Sequence, residues 1–270
     1  MKHTPTKQNF KYPEIKKENY RFGSGQLVGT PLRLNGDWRA SLPPEEFQNI
    51  RGIESSACYI EAQQHTIATI LEEAFSIIDE NYSSRFNALL SDGSENGGDP
   101  IKGAQSIRHD GLIPDSILPF GEEIESWNDF HSYKGASEVE CVREGQRWLK
   151  KWTPKYDIVF ERNEPLSFKY MRLRDALKFS PVCASVTAWY EENEMYIKPE
   201  GMRDNHLIEI VYLDDNNCAY VRDTYAPFIK KLAPFYNFDF GLRWTIDKTV
   251  FKKKENWLTD LIRRLLSWFK

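Results

Sequence analysis

An α+β fold is what this sequence predicts. One long stretch early in the chain carries helical periodicity without a Gly or Pro, and after Val182 the character changes to short β-rich runs. The polar tetrad Asp214-Asp215-Asn216-Asn217 sits between two of those runs as a hairpin turn. Helices first and an antiparallel sheet second is the α+β order.

The long helix spans residues 57–80, with Ile60, Ile67, Ile70, Leu71, Ala74, Phe75 and Ile78 along one side. Ser55 or Ser56 is placed to cap it, which puts Cys58 in the first turn, where unpaired N–H groups and the helix dipole favour a thiolate. A second helix should start at Asp99-Pro100, an N-cap acid followed by proline at the first helical position, and stop at Gly111. The glycine-containing loop 91–98 leads into it. Trp148, Leu149 and Trp152 suggest a further helix, residues 156–161 a short strand and 173–179 a helical turn or two. The β-rich runs are 182–189, 207–213, 218–223 and 242–246. Residues 1–36, rich in Lys, Pro, Gly and Thr, read as an extended arm ahead of a body spanning 37–247.

With 40 % hydrophobic and 28 % charged residues among 270, the chain has the composition of a globular protein and not of a disordered, collagen-like or disulfide-stapled one. No window approaches ~20 apolar residues and the first ten are polar, so neither a spanning helix nor a secretory signal is expected. Cys58, Cys141, Cys183 and Cys218 form no CxxC pair, which suits free thiols in a reducing compartment, the cytoplasm or a virion made there. No metal and no other cofactor is expected. The net charge of −4 hides an acidic middle between basic ends, and an acidic body argues against nucleic acid as the main partner. Over residues 248–270, Trp257, Leu258, Leu261, Ile262, Leu265, Leu266 and Phe269 repeat at helical spacing beside Lys252, Lys253, Lys254, Arg263 and Arg264. That segment reads as a basic amphipathic helix that docks on its own domain, on a protein partner or on a membrane surface.

A cysteine at a helix start does nucleophilic chemistry when an imidazole takes its proton and a third group orients that imidazole. Of five histidines, His65 lies seven residues along the same helix, about 10 Å away at the helical rise, too far for a hydrogen bond to the sulfur. His3 falls in the arm, His109 at a helix end and His131 in an aromatic loop. His206 opens a strand, and the next strand ends at Asp223, so antiparallel pairing brings the two together. Cys58, His206 and Asp223 thus form a Cys-His-Asp constellation.

At these residues the chain resembles the papain-like cysteine peptidases, from about Asp37 to Ile246. Gly36-Asp37-Trp38-Arg39 is similar to the start of the mature domain, and Ser56-Ala57-Cys58-Tyr59 to the nucleophile entering the central helix. Asn96-Gly97-Gly98-Asp99-Pro100 resembles the Asn-Gly-Gly loop whose backbone pairs with substrate. Ser180-Pro181-Val182-Cys183-Ala184-Ser185-Val186 resembles the strand lining the primary specificity pocket, Asn205-His206 the general base, and Val221-Arg222-Asp223-Thr224-Tyr225 the family's Lys-Asn-Ser-Trp segment. The resemblance implies a helical lobe, with the nucleophile helix central, packed on an antiparallel sheet lobe. It implies substrate contacts at Gly97, Gly98, Val182 and Asn205.

The departures bear on activity. Six residues before Cys58, where the family has an oxyanion-donating glutamine, stands Gly52; Gln48, ten before, is the nearest glutamine upstream and is expected to serve as the donor if the loop 49–55 is longer than the family's. Asp223 replaces an asparagine, Tyr225 a shielding tryptophan, and the family's disulfide cysteines are absent. A peptidase acting on peptide or protein substrates is the leading expectation. A papain-shaped binding or assembly module without strong catalysis is the second, and a peptidoglycan-cleaving hydrolase of a phage or bacterium the third.

Overall fold

The computed structural model describes residues 10–16, 19–25, 29–78 and 81–249. From residue 250 on, the expected C-terminal helix lies outside the described residues, as does His3. A short hairpin, β1 (Asn49–Ile50) and β2 (Ile53–Glu54), precedes α1 (Cys58–Phe75), α2 (Ser84–Leu90), α3 (Pro100–Asp110), the single turn α4 (Trp127–Phe130) and α5 (Glu138–Lys151). Then follow β3 (Trp152–Glu161), α6 (Leu166–Ala176), β4 (Val182–Val186), β5 (Tyr190–Glu192), β6 (Met195–Ile197), β7 (His206–Leu213), β8 (Ala219–Arg222), β9 (Ile229–Lys231) and β10 (Phe240–Lys248). β3, β10, β4, β7, β8 and β9, in that order, form one antiparallel sheet of six strands.

α1 is buried on every side from Cys58 to Leu71. A helix without a solvent face belongs in the middle of a core, and α1 packs against β4, β7 and β10 on one flank and α2 and α3 on the other. Its neighbours explain its polar residues: Gln63 donates to the Pro100 carbonyl, Gln64 to the Ser83 carbonyl, and Thr66 Oγ1 lies 3.2 Å from Cys183 Sγ. The helix ends at Ser76, whose left-handed backbone (φ 56°) lets its N–H donate to the Leu71 and Glu72 carbonyls. It therefore stops short of residue 80, and Ile78, expected on the buried face, is 66 % exposed. Neither serine caps the start. Ala57 holds the N-cap position, while Ser55 Oγ accepts from the Ala57 N–H and Ser56 Oγ donates to the Glu95 carbonyl.

The other face of the sheet carries α6 and Trp38, which is fully buried and donates from Nε1 to the Leu177 carbonyl at 2.7 Å. The hairpin turn stands where the polar tetrad put it: Asp214 Oδ1 accepts from the N–H groups of Asn216 and Cys218. Asp99 caps α3 by accepting from the Ile101 N–H, and Gly111 closes it. All four cysteines are buried and none forms a disulfide. Among the described residues no helix is long and apolar enough to cross a membrane.

Candidate active site

Two independent parts of the chain meet at Cys58. It is the first residue of α1 and fully buried. His206 is the first residue of β7, Asp223 follows β8, and the β7–β8 pairing around Glu209 and Arg222 brings those two strand ends together. His206 Nε2 lies 2.6 Å from Asp223 Oδ1, with both side chains inaccessible to solvent. Among the described residues Nδ1 has no partner other than the thiol, for which it is the ring nitrogen left. Burial opposes a charged imidazole, yet the Asp223 carboxylate and the Cys58 sulfur outweigh it and raise the His206 pKa to about 10. Burial likewise opposes ionisation of Asp223, but His206 and the Lys230 ammonium hold its carboxyl below the usual range. The rings of Trp189 and Tyr225 stand 6.1 and 5.5 Å from the imidazole and wall it from water.

The remaining described histidines are engaged elsewhere. His65 faces Glu46 at 3.0 Å, and burial pushes its pKa down to about 4, so it is neutral at pH 7. His131 stacks on Trp127 and meets the Ala88 carbonyl, while His109 lies in the last turn of α3.

Gln48 joins this network through Thr224 and Tyr225, the two residues after Asp223. The hairpin β1–β2, closed by the Ser55 N–H donating to the Gln48 carbonyl, occupies residues 49–54 between Gln48 and the start of α1. The buried Gln48 amide is fixed at both ends: Oε1 accepts from Thr224 Oγ1 at 2.7 Å, and Nε2 donates to Glu54 Oε1 at 2.6 Å and to the Tyr225 hydroxyl at 2.7 Å. The same Glu54 oxygen accepts from the Ser56 N–H. A carboxylate thus takes one amide hydrogen and a tyrosine the other.

Three residues of this network carried no weight in the sequence reading. Glu61, three residues after Cys58 on the same helix face, is wholly buried; burial, then the charges of Glu46 and Glu54, push its carboxyl well above the usual range. Its spacing from Cys58 was the available signal. Glu54 and Lys230 are set in place by tertiary packing alone, and nothing local marked them.

The Asn-Gly-Gly loop hangs beside the start of α1 through the bond from Ser56 to Glu95. Gly97 has φ +83°, and a Cβ on Gly98 would fall 2.2 Å from the Tyr59 ring, so both glycines are required by the loop itself. The Gly98 carbonyl accepts from the Lys11 N–H at 3.1 Å, and Phe10 forms a parallel bridge with Gly98. The arm is anchored again at Tyr12, whose hydroxyl donates to Asp239 and accepts from the Asp204 N–H. The expectation for Val182 needs correcting. It packs with Leu173 and Ile210 in the core on the far face of the sheet, because alternation along β4 turns Cys183, not Val182, toward α1. Asn205 bridges locally, its N–H donating to the Val186 carbonyl and its Oδ1 accepting from the Ala188 N–H. Among the described residues no group of His, Cys, Asp and Glu could hold a metal ion.

No family model matches the sequence, and no curated protein does. Solved structures do match. Xylellain, a cysteine protease from Xylella fastidiosa, superposes with a TM-score of 0.58 over 93 % of this chain and 99 % of its own at 15 % identity. Procathepsin B from Trypanosoma congolense gives 0.55 over 90 % and 88 % at 12 % identity. The bromelain protease from Ananas comosus gives 0.54 over 77 % and 97 % at 17 % identity. With helices ahead of an antiparallel sheet, a fully buried α1 and a cysteine at its N-terminus, the chain has the fold of the papain-like cysteine peptidases.

Proposed function

We infer that this protein is a cysteine peptidase in which Cys58, His206 and Asp223 hydrolyse peptide bonds. The observation that carries the reading is the His206 imidazole, tied by Nε2 to Asp223 at 2.6 Å with Nδ1 left for the thiol at the start of α1. The Cys58 thiolate attacks the substrate carbonyl, and the carbonyl electrons move to oxygen, which the Cys58 N–H and a Gln48 N–H stabilise. His206 passes its proton to the leaving amine as the C–N bond breaks. A water then gives a proton to His206 and attacks the thioester, releasing the acid and the thiolate. Asp223 holds the ring and carries the opposing charge throughout.

Alkylation by iodoacetamide at pH 6 tests this. The wild type should react on the order of tenfold or more faster than His206→Ala, with Cys58→Ala as the blank, because the proposed chemistry needs the imidazole to activate the thiol. Equal rates would leave a papain-shaped binding module. One observation favours that second reading: both Gln48 N–H groups are already engaged, one by a carboxylate.

A further inference from the structure

Resting on that reading, we propose that Lys230 is a positioning residue of the active site: a fourth member, behind Asp223, that sets the proton affinity of His206. Lys230 Nζ lies 2.6 Å from Asp223 Oδ2, the oxygen that His206 does not use, and its side chain is 2 % exposed. Its other two acceptors are the carbonyls of Tyr225 and Pro227. Three acceptors for three N–H groups is the full donor set of an ammonium. The rings of Trp189 and Tyr196 sit 5.0 and 5.9 Å from Nζ and help hold the charge. Cys58, His206, Asp223 and Lys230 therefore alternate in charge when the thiol is ionised.

The consequence lies in how acidic the imidazolium is. A bare carboxylate beside a buried imidazole binds the proton tightly, whereas the second half of acylation requires His206 to give that proton away. A cation on the far oxygen of Asp223 weakens its hold and repels the imidazolium through it. Other groups face this pair as well: Cys58, Glu61 and His65 from α1, Glu54 from β2 and the Tyr225 hydroxyl. Of these, Glu61 is held toward its neutral form by burial, and His65 by burial with Arg222 beside it. Lys230 is the ammonium in contact with the carboxylate; burial lowers its pKa, and Asp223 opposes that.

The test compares wild type, Lys230→Arg, Lys230→Gln and Lys230→Met in two ways: the pH profile of peptide turnover and the titration of the His206 imidazole by nitrogen NMR. Removing the charge should move the alkaline limb and the His206 midpoint upward by about one pH unit, the size expected for one unit charge at this range. Lys230→Arg should keep the wild-type position. Lys230→Gln retains N–H donors for the two carbonyls, so it separates charge from hydrogen bonding and serves if Lys230→Met does not fold. A fall in rate with limbs and midpoint unmoved in the neutral variants would overturn the inference and leave Lys230 a structural residue. If the wild type turns over no peptide, the peptidase reading fails while the NMR midpoint still decides the role of Lys230.

Discussion

Asp223→Asn should destabilise the protein by about 3–5 kcal/mol, the cost of breaking a buried ion pair from one side. The substitution looks mild, since an amide oxygen can still accept from His206 and the family resemblance puts asparagine at this position. In this protein it is not. Oδ1 accepts from both His206 Nε2 and the Thr224 N–H, which fixes the amide oxygen there and turns the new NH2 toward Lys230 Nζ. Donor then meets donor, and a buried ammonium loses its counter-charge. Asp223→Asn/Lys230→Met should recover most of the loss, because it removes the orphan instead of creating one. Urea midpoints of the two single variants and the double measure the coupling. A double variant as unstable as the sum of the singles would show that the two side chains do not act as a pair.

The pH at which the cycle is run matters. Asp223 is held below its ordinary value, so its contribution is present above the unfolded value and lost as pH falls through the folded one. His206 is raised, so its contribution is full below the unfolded value and lost as pH rises toward about 10. Both are full between about 3.9 and 6.5, and the cost of Asp223→Asn should be largest there.

Gln48→Ala is the second large effect: kcat/KM for a peptide should fall about 10²-fold, carried by kcat, as when one oxyanion donor is removed. Thr224 holds the amide oxygen, so the NH2 end has a fixed direction and an arriving oxyanion must displace Glu54 or Tyr225 from it. Gln48→Glu should be more damaging than alanine. It would set a second carboxylate against Glu54 and replace the donor with an acceptor. Activity of Gln48→Ala within about threefold of wild type would remove Gln48 from the oxyanion role and leave it a brace between β2 and Thr224.

Much of this site was legible because its parts are local. α1 announced itself by periodicity, Asp99-Pro100 by capping chemistry, and the pairing of His206 with Asp223 by a hairpin whose turn residues are unambiguous. The sequence could point to Gln48 but not explain its spacing, since four strand residues in two pairs carry too little pattern to reveal β1–β2. α2 was missed because Ser84, Arg85 and Asn87 break an apolar stripe; Arg85 is buried only by donating to a ring of carbonyls from the α4 region. Val182 was misplaced because β4 is buried on both faces, and a strand without a polar side does not tell which residue looks at the cleft. Lys230 shares the sequence Ile229-Lys230-Lys231 with a half-buried neighbour that lies over Tyr220; only the fold distinguishes the lysine that meets Asp223 from the one beside it.

The pairing of Phe10 and Lys11 with Gly98 has a kinetic meaning. If substrate pairs with the Gly98 backbone, as the proposed function expects, a peptide reaching for the same carbonyl would compete with a segment that belongs to the protein, and a tethered competitor acts at an effective concentration on the order of millimolar whatever the dilution. Free substrate meets that handicap at every encounter. In the proposed peptidase it would be felt as a raised apparent KM, and a binder that draws residues 10–12 away from the body would lower it without touching the cleft.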